Sequence, residues 1–96
     1  MAAKLLSIKP SDRADKKLVA TFEKNGRKSR VHFGAKGMDD YTLTKDKEQR
    51  ERYRARHKKD LLGDPTKAGY LSFYILWGDS TSRRENIASY KKRFSL

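Results

Sequence analysis

The sequence predicts an α+β fold in a single domain spanning residues 1–96. An N-terminal antiparallel β-hairpin, two- or three-stranded, is followed by three helices packed on its apolar face. Three observations carry this. An Asn-Gly dipeptide separates two alternating runs, an aromatic stripe recurs at helical spacing, and a capping signature precedes a last amphipathic run.

The hairpin is the sharpest local signal. Lys17–Lys24 runs into Asn25-Gly26, and Arg27–Phe33 follows. Asn-Gly suits a two-residue type I′ turn, in which both central residues need positive φ. That turn fixes the register: Lys24 faces Arg27, Phe22 faces Ser29, Ala20 faces Val31 and Leu18 faces Phe33. Alternation then gathers Leu18, Ala20, Phe22, Val31 and Phe33 on one face. Thr21, Glu23, Lys28, Arg30 and His32 fall on the other. Lys4–Ile8 reads as a short edge strand, and Pro10–Asp15 and Gly34–Asp40 read as loops.

Residues 45–60 are helical in composition, with Thr44 as N-cap, Asp46 and Glu48 in the first turns, and Gly63 as terminator. Asp64-Pro65 opens a second helix running to Trp77, with proline in its preferred first position. Tyr70, Phe73, Tyr74 and Trp77, widened by Leu71 and Ile75, give it a core-facing stripe. Among the tyrosines, Tyr41 and Tyr90 are the ones expected to be partly exposed. Ser82-Arg83-Arg84-Glu85 matches a capping box, and Ile87, Tyr90 and Phe94 repeat at helical spacing behind it.

Charge narrows the function. Lysine and arginine number 24 against 12 acidic residues, a net charge of +12. Such a field draws polyanions. The charge is unevenly placed: residues 45–60 hold eight cationic against four acidic groups, and residues 83–93 hold five against one. Residues 61–82, which contain the aromatic stripe, hold one lysine and two aspartates. This is the pattern of a neutral core helix inside a basic shell.

Projected at about 100° per residue, the 45–60 helix turns Tyr53, His57 and Leu61 inward. Lys45, Arg52, Arg56 and Lys59 share one flank; Lys47, Arg50, Arg54 and Lys58 share another. Two basic rails of this kind would bracket phosphates. Glu48–Arg52 and Glu51–Arg54 are candidate ion pairs that would turn the helix into an ordinary solvated one. Further phosphate contacts are assigned to Lys28, Arg30 and His32 on the hairpin's outer face, to Lys36, and to Arg84, Lys91 and Lys92 on the last helix. Arg52–Lys59 also matches a nuclear-import signal in composition.

No catalytic residues, cofactor or metal site are read from the sequence. His32 and His57 have no second ligand at metal spacing. Asp39-Asp40 would suit magnesium in a nuclease, but adjacent aspartates in a glycine loop are commonly turn formers or caps. Gly34-Ala35-Lys36-Gly37 lacks the spacing of a phosphate-binding loop. There is no cysteine, no run approaching the ~20 apolar residues of a membrane span, and the Met1–Ile8 start is too short for a signal peptide. An intracellular location is expected.

Three segments also carry a resemblance: His32-Phe33-Gly34-Ala35-Lys36-Gly37-Met38-Asp39-Asp40-Tyr41-Thr42, Tyr53-Arg54-Ala55-Arg56-His57-Lys58-Lys59-Asp60, and Ala68-Gly69-Tyr70-Leu71-Ser72-Phe73-Tyr74-Ile75-Leu76-Trp77-Gly78-Asp79. Over residues 17–96 the chain resembles a family of small basic uncharacterised proteins encoded by large DNA viruses of algae and protists. The resemblance implies a viral setting, in a virion core, a replication compartment or the nucleus, and carries over no catalytic residue. The expected function is non-enzymatic binding of nucleic acid, DNA before RNA and duplex DNA above all, through phosphates and with little sequence preference. The alternatives are a structural component of a virion or ribonucleoprotein docking on RNA or an acidic protein, and a small metal-dependent nuclease. No membrane partner is expected.

Overall fold

The computed structural model describes residues 3–61 and 65–96. Strands β1 (Lys4–Pro10), β2 (Lys16–Lys24) and β3 (Arg27–Ala35) form an antiparallel sheet in the order β1-β2-β3. Helices α1 (Tyr41–Thr44), α2 (Lys47–His57), α3 (Ala68–Leu71) and α4 (Arg83–Phe94) follow. A 3₁₀ turn at Lys58–Asp60 extends α2, and a π-helical turn at Ser72–Leu76 continues α3.

The hairpin has the expected register, from Lys24↔Arg27 to Leu18↔Phe33. Asn25 and Gly26 take φ of 55° and 77°, as a type I′ turn requires. The third strand forms as well. Leu5 pairs with Phe22 and Ile8 with Ala20, so both must point inward although they stand an odd number of residues apart. The register shift between Leu5 and Ser7 resolves the conflict. It is a bulge that throws Leu6 outward, leaving it 41% exposed.

Leu5, Leu18, Ala20, Phe22 and Phe33 meet Tyr70, Leu71, Ile75, Leu76 and Trp77 in one core, which Tyr90 of α4 closes. Close approach of strand and helix depends on Gly34. Its φ is +79°, and a Cβ there would lie 2.6 Å from Leu76 Cδ1, so both conformation and space call for glycine.

Several boundaries differ from expectation. The 34–40 segment is not all loop: Gly34 and Ala35 end β3, and Asp40 caps the short α1, its carboxylate accepting from Thr42 N–H. Thr44 ends that helix instead of capping the next one. Lys45 turns left-handed at φ 57°, and Asp46 caps α2 by accepting from Glu48 and Gln49 N–H at 3.0 and 3.1 Å. The third helix starts at Ala68, with Pro65 in the turn before it. Gly63 and Asp64 lie outside the described residues.

Its second half widens, so that Trp77 N–H reaches back to Ser72 O at 3.0 Å. The widened turn buries Phe73, Ile75, Leu76 and Trp77, well beyond a single stripe, and leaves Tyr74 half-buried. Tyr41 and Tyr90, expected to be partly exposed, are buried at 8% and 1% exposure. Ser82 caps α4 as expected, accepting from Glu85 N–H at 3.3 Å. The reciprocal half of the box is replaced: Ser80 Oγ accepts from Ser82 N–H and donates to Glu85.

Gly26→Val should destabilise the fold by about 1–3 kcal/mol, the cost of forcing a β-branched residue to positive φ. Space around Gly26 is open, so the loss is conformational. Thermal melts of the variant and the parent measure it, and equal stability would mean that the turn is not type I′.

Candidate nucleic-acid interface

The basic residues of α2 divide into two groups by what they touch. The carbonyls at and just beyond the end of the π-helical turn are met by side chains of other elements. Arg54 Nη1 donates to Trp77 O at 2.9 Å, and Arg50 Nε donates to Gly78 O at 2.6 Å. Asn86, buried on α4, donates to Ile75 O at 2.9 Å. Arg50 also pairs with Asp79 at 2.6 Å and with Glu51 at 2.5 Å. The Arg54 guanidinium lies over the Phe73 ring, 4.3 Å from its centroid. Burial, followed by the neighbouring Arg50 charge, lowers the Arg54 pKa. Arg50 and Arg54 therefore fasten α2 to the aromatic helix, and the expected second rail of Lys47, Arg50, Arg54 and Lys58 does not exist as one surface.

The opposite flank has no such duties. Arg52 and Arg56, one turn apart, are exposed, as are Lys58 and Lys59 in the 3₁₀ turn. Neither expected intrahelical pair forms: Glu51 is taken by Arg50, and Arg52 and Arg56 make no ion pair among the described residues. Lys45 is exposed too, but sits in the junction before α2 and is not on the helical flank.

The other candidate contacts lie elsewhere. Lys28 and Arg30 are exposed on the sheet's outer face, where Arg30 pairs with Asp12 at 3.3 Å. His32 is half-buried there, its Nδ1 2.7 Å from Ser11 Oγ. Lys36 is exposed in the turn after β3, and Arg84, Lys91 and Lys92 are exposed on α4. The candidates are thus spread over α2, the sheet and α4.

Between the 34–39 turn and α2 lies a groove of about 540 Å³. Arg56, Lys16, Met38, Tyr53 and Trp77 line it, with the small residues Gly34, Gly37, Ala68 and Gly69. Within it the rings of Trp77, Tyr53 and His57 form a column. Trp77 stacks on Tyr53 at 4.4 Å and 10°, and His57 on Tyr53 at 4.1 Å and 26°. Sequence reasoning missed Lys16 and Met38; Met38 adjoins a turn flanked by glycines, whereas Lys16 reaches the groove only by pairing with Ala35 across the sheet.

Asp40 is fully buried behind this groove. Lys17 Nζ pairs with it at 2.6 Å, and the Thr42 N–H and hydroxyl donate to its other oxygen. Asp39 is exposed. The pair reads as one cap and one surface carboxylate. Among the described residues no three His, Asp or Glu side chains gather to hold a metal ion. No described helix is long and apolar enough to cross a membrane.

The fold and this surface define a small basic α+β domain with a cationic helix flank beside an aromatic groove. The chain belongs to DUF5754, a family of unknown function, which it matches over residues 6–57. That match starts before the stretch expected from resemblance and stops at the end of α2, so the aromatic helix and α4 lie outside it. Neither the curated proteins nor the solved structures give a match.

Asp40→Ala should cost about 3–5 kcal/mol, because it leaves Lys17 as an unpaired, largely buried charge. Asp39→Ala should stay within about 0.5 kcal/mol. Denaturant unfolding of the two single variants checks the contrast.

Proposed function

We propose that the protein binds nucleic acid without catalysis, preferring duplex DNA and contacting phosphates through the outer flank of α2. The observation that carries this reading is the division among the arginines of α2. Arg50 uses the nearby acids Glu51 and Asp79, and Arg54 lies 4.0 Å from Asp79, while Arg52 and Arg56 stay exposed and unpaired among the described residues. Lys59, exposed in the following 3₁₀ turn, continues the same cationic run. Arginine meets a phosphate bidentately and lysine meets it as a point charge. Neither reads base identity in that mode, so sequence preference is weak. The setting we assign is a viral genome compartment, a virion core or replication site. That assignment rests on resemblance alone.

Replacing Arg52, Arg56 and Lys59 together by glutamine should weaken binding equally on two unrelated duplexes. The log–log salt slope should flatten by up to about 3, one unit per lost phosphate contact. Thermal stability should barely move, since exposed charges contribute about 0–1 kcal/mol. Titration of both proteins at several salt concentrations reads affinity and slope together. Unchanged values would remove this flank as the main contact; loss on one duplex only would indicate base readout.

A further inference from the structure

We propose that the groove between the 34–39 turn and α2 is a binding site for one nucleoside monophosphate unit, its base against the aromatic column and its phosphate between Lys16 and Arg56. The inference deepens the nucleic-acid reading and rests on it for the choice of ligand.

A domain of this size has a thin core and little room for an idle cavity. The groove's 540 Å³ lies within the range of small-ligand sites. Gly34 and Gly37 on the turn and Ala68 and Gly69 at the start of α3 contribute little or no side chain, which leaves the groove open between the larger side chains that line it. A slot of that form admits a flat ring. The stacked rings of Trp77, Tyr53 and His57 line its margin; with Tyr53 between the other two and Trp77 buried, a base meets this column chiefly at its ring edges. Met38 lines the same groove while 65% exposed; this polarizable apolar side chain stands where a ring would cover it.

The charges complete the match. Lys16 comes from the start of β2 and Arg56 from α2, and neither makes an ion pair among the described residues. Lys17 also reaches the groove but is held by Asp40. Two available cations against the single exposed carboxylate of Asp39 favour an anion. The combination of flat apolar slot and paired cations fits a nucleotide better than a bare anion or an apolar chain.

The nucleotide has two sources: a free mononucleotide, or an unpaired nucleotide at the end of a strand. Trp77 is the chain's one tryptophan, and it lines the groove, so its fluorescence reports occupancy. The full-length protein is titrated with AMP, adenosine and inorganic phosphate, then with a 5′-phosphorylated duplex carrying a one-nucleotide overhang and its blunt counterpart. AMP or the overhang should change Trp77 emission saturably, and phosphate alone should not. A response to AMP only identifies a free nucleotide; a response to the overhang only identifies a strand end. Lys16→Gln should weaken that binding by about tenfold or more, the worth of one charge-assisted contact. Ala68→Phe, which fills the slot, should abolish it while blunt-duplex affinity is kept. Equal responses to phosphate and AMP, no response to AMP or the overhang, or full AMP binding in both variants would each overturn the proposal. Blunt-duplex binding that fails while AMP still binds would instead remove the role of the α2 flank and leave the groove standing.

Discussion

The structure depends on how the carbonyls at the end of the aromatic helix are satisfied. Carbonyls at and just beyond the end of a helical segment cannot all find partners within it. Three side chains supply the donors: Arg54 to Trp77 O, Arg50 to Gly78 O and Asn86 to Ile75 O. Two come from α2 and one from α4, so meeting this requirement also docks both outer helices on the central one. The positive charge of the arginines suits the negative end of the helix. The cost is that two of the four arginines in α2 are withdrawn from the surface, along with the acids that Arg50 engages.

A second polar anchor works at the other side of the core. Asp40 ties β2 to α1 through Lys17 and Thr42, with Arg83 of α4 4.0 Å away. A buried ion pair is poor value as stabilisation, because desolvation offsets its attraction. Its geometry is directional, however. It fixes where the chain leaves the sheet, and therefore where the 34–39 turn stands relative to α2. The groove's width follows from that placement and from the contact of Gly34 with Leu76.

The parts of this fold that were legible in the sequence are those in which one local rule suffices. Asn25-Gly26 sets turn type and register together, and Ser82 caps whatever follows it. The neutral composition around the aromatic stripe marks the burial found at residues 70–78 without any knowledge of partners. What escaped depends on tertiary context. The bulge at Leu6 exists because β2 demands that Leu5 and Ile8 share a face. Helix α1 has four residues, too few for a periodic signal. The choice between Thr44 and Asp46 as cap turned on the left-handed Lys45, which composition does not announce. In the candidate site, exposure of Arg52, Arg56 and Lys59 followed from helical projection. The same projection sets Arg50 and Arg54 beside Tyr53 and His57; what it does not give is their partners, helix-end carbonyls more than twenty residues away in sequence.

The angular order around α2 explains why its arginines differ in role. At about 100° per residue, positions 50 and 54 fall beside the inward Tyr53 and His57, while position 52 lies roughly opposite Arg50. Position 56 lies between the two arcs. Arg56 is accordingly both exposed and part of the groove lining. The net charge of +12 therefore overstates the binding surface, since it counts guanidinium groups that serve as hydrogen-bond donors to the core. What matters for a polyanion is the residue-by-residue remainder. On the proposed reading, Arg56 joins its two parts: a backbone following the outer flank reaches the groove at that residue without leaving cationic surface. A phosphate track and a nucleotide slot then adjoin because one helix places a single arginine on the boundary between its buried and exposed faces.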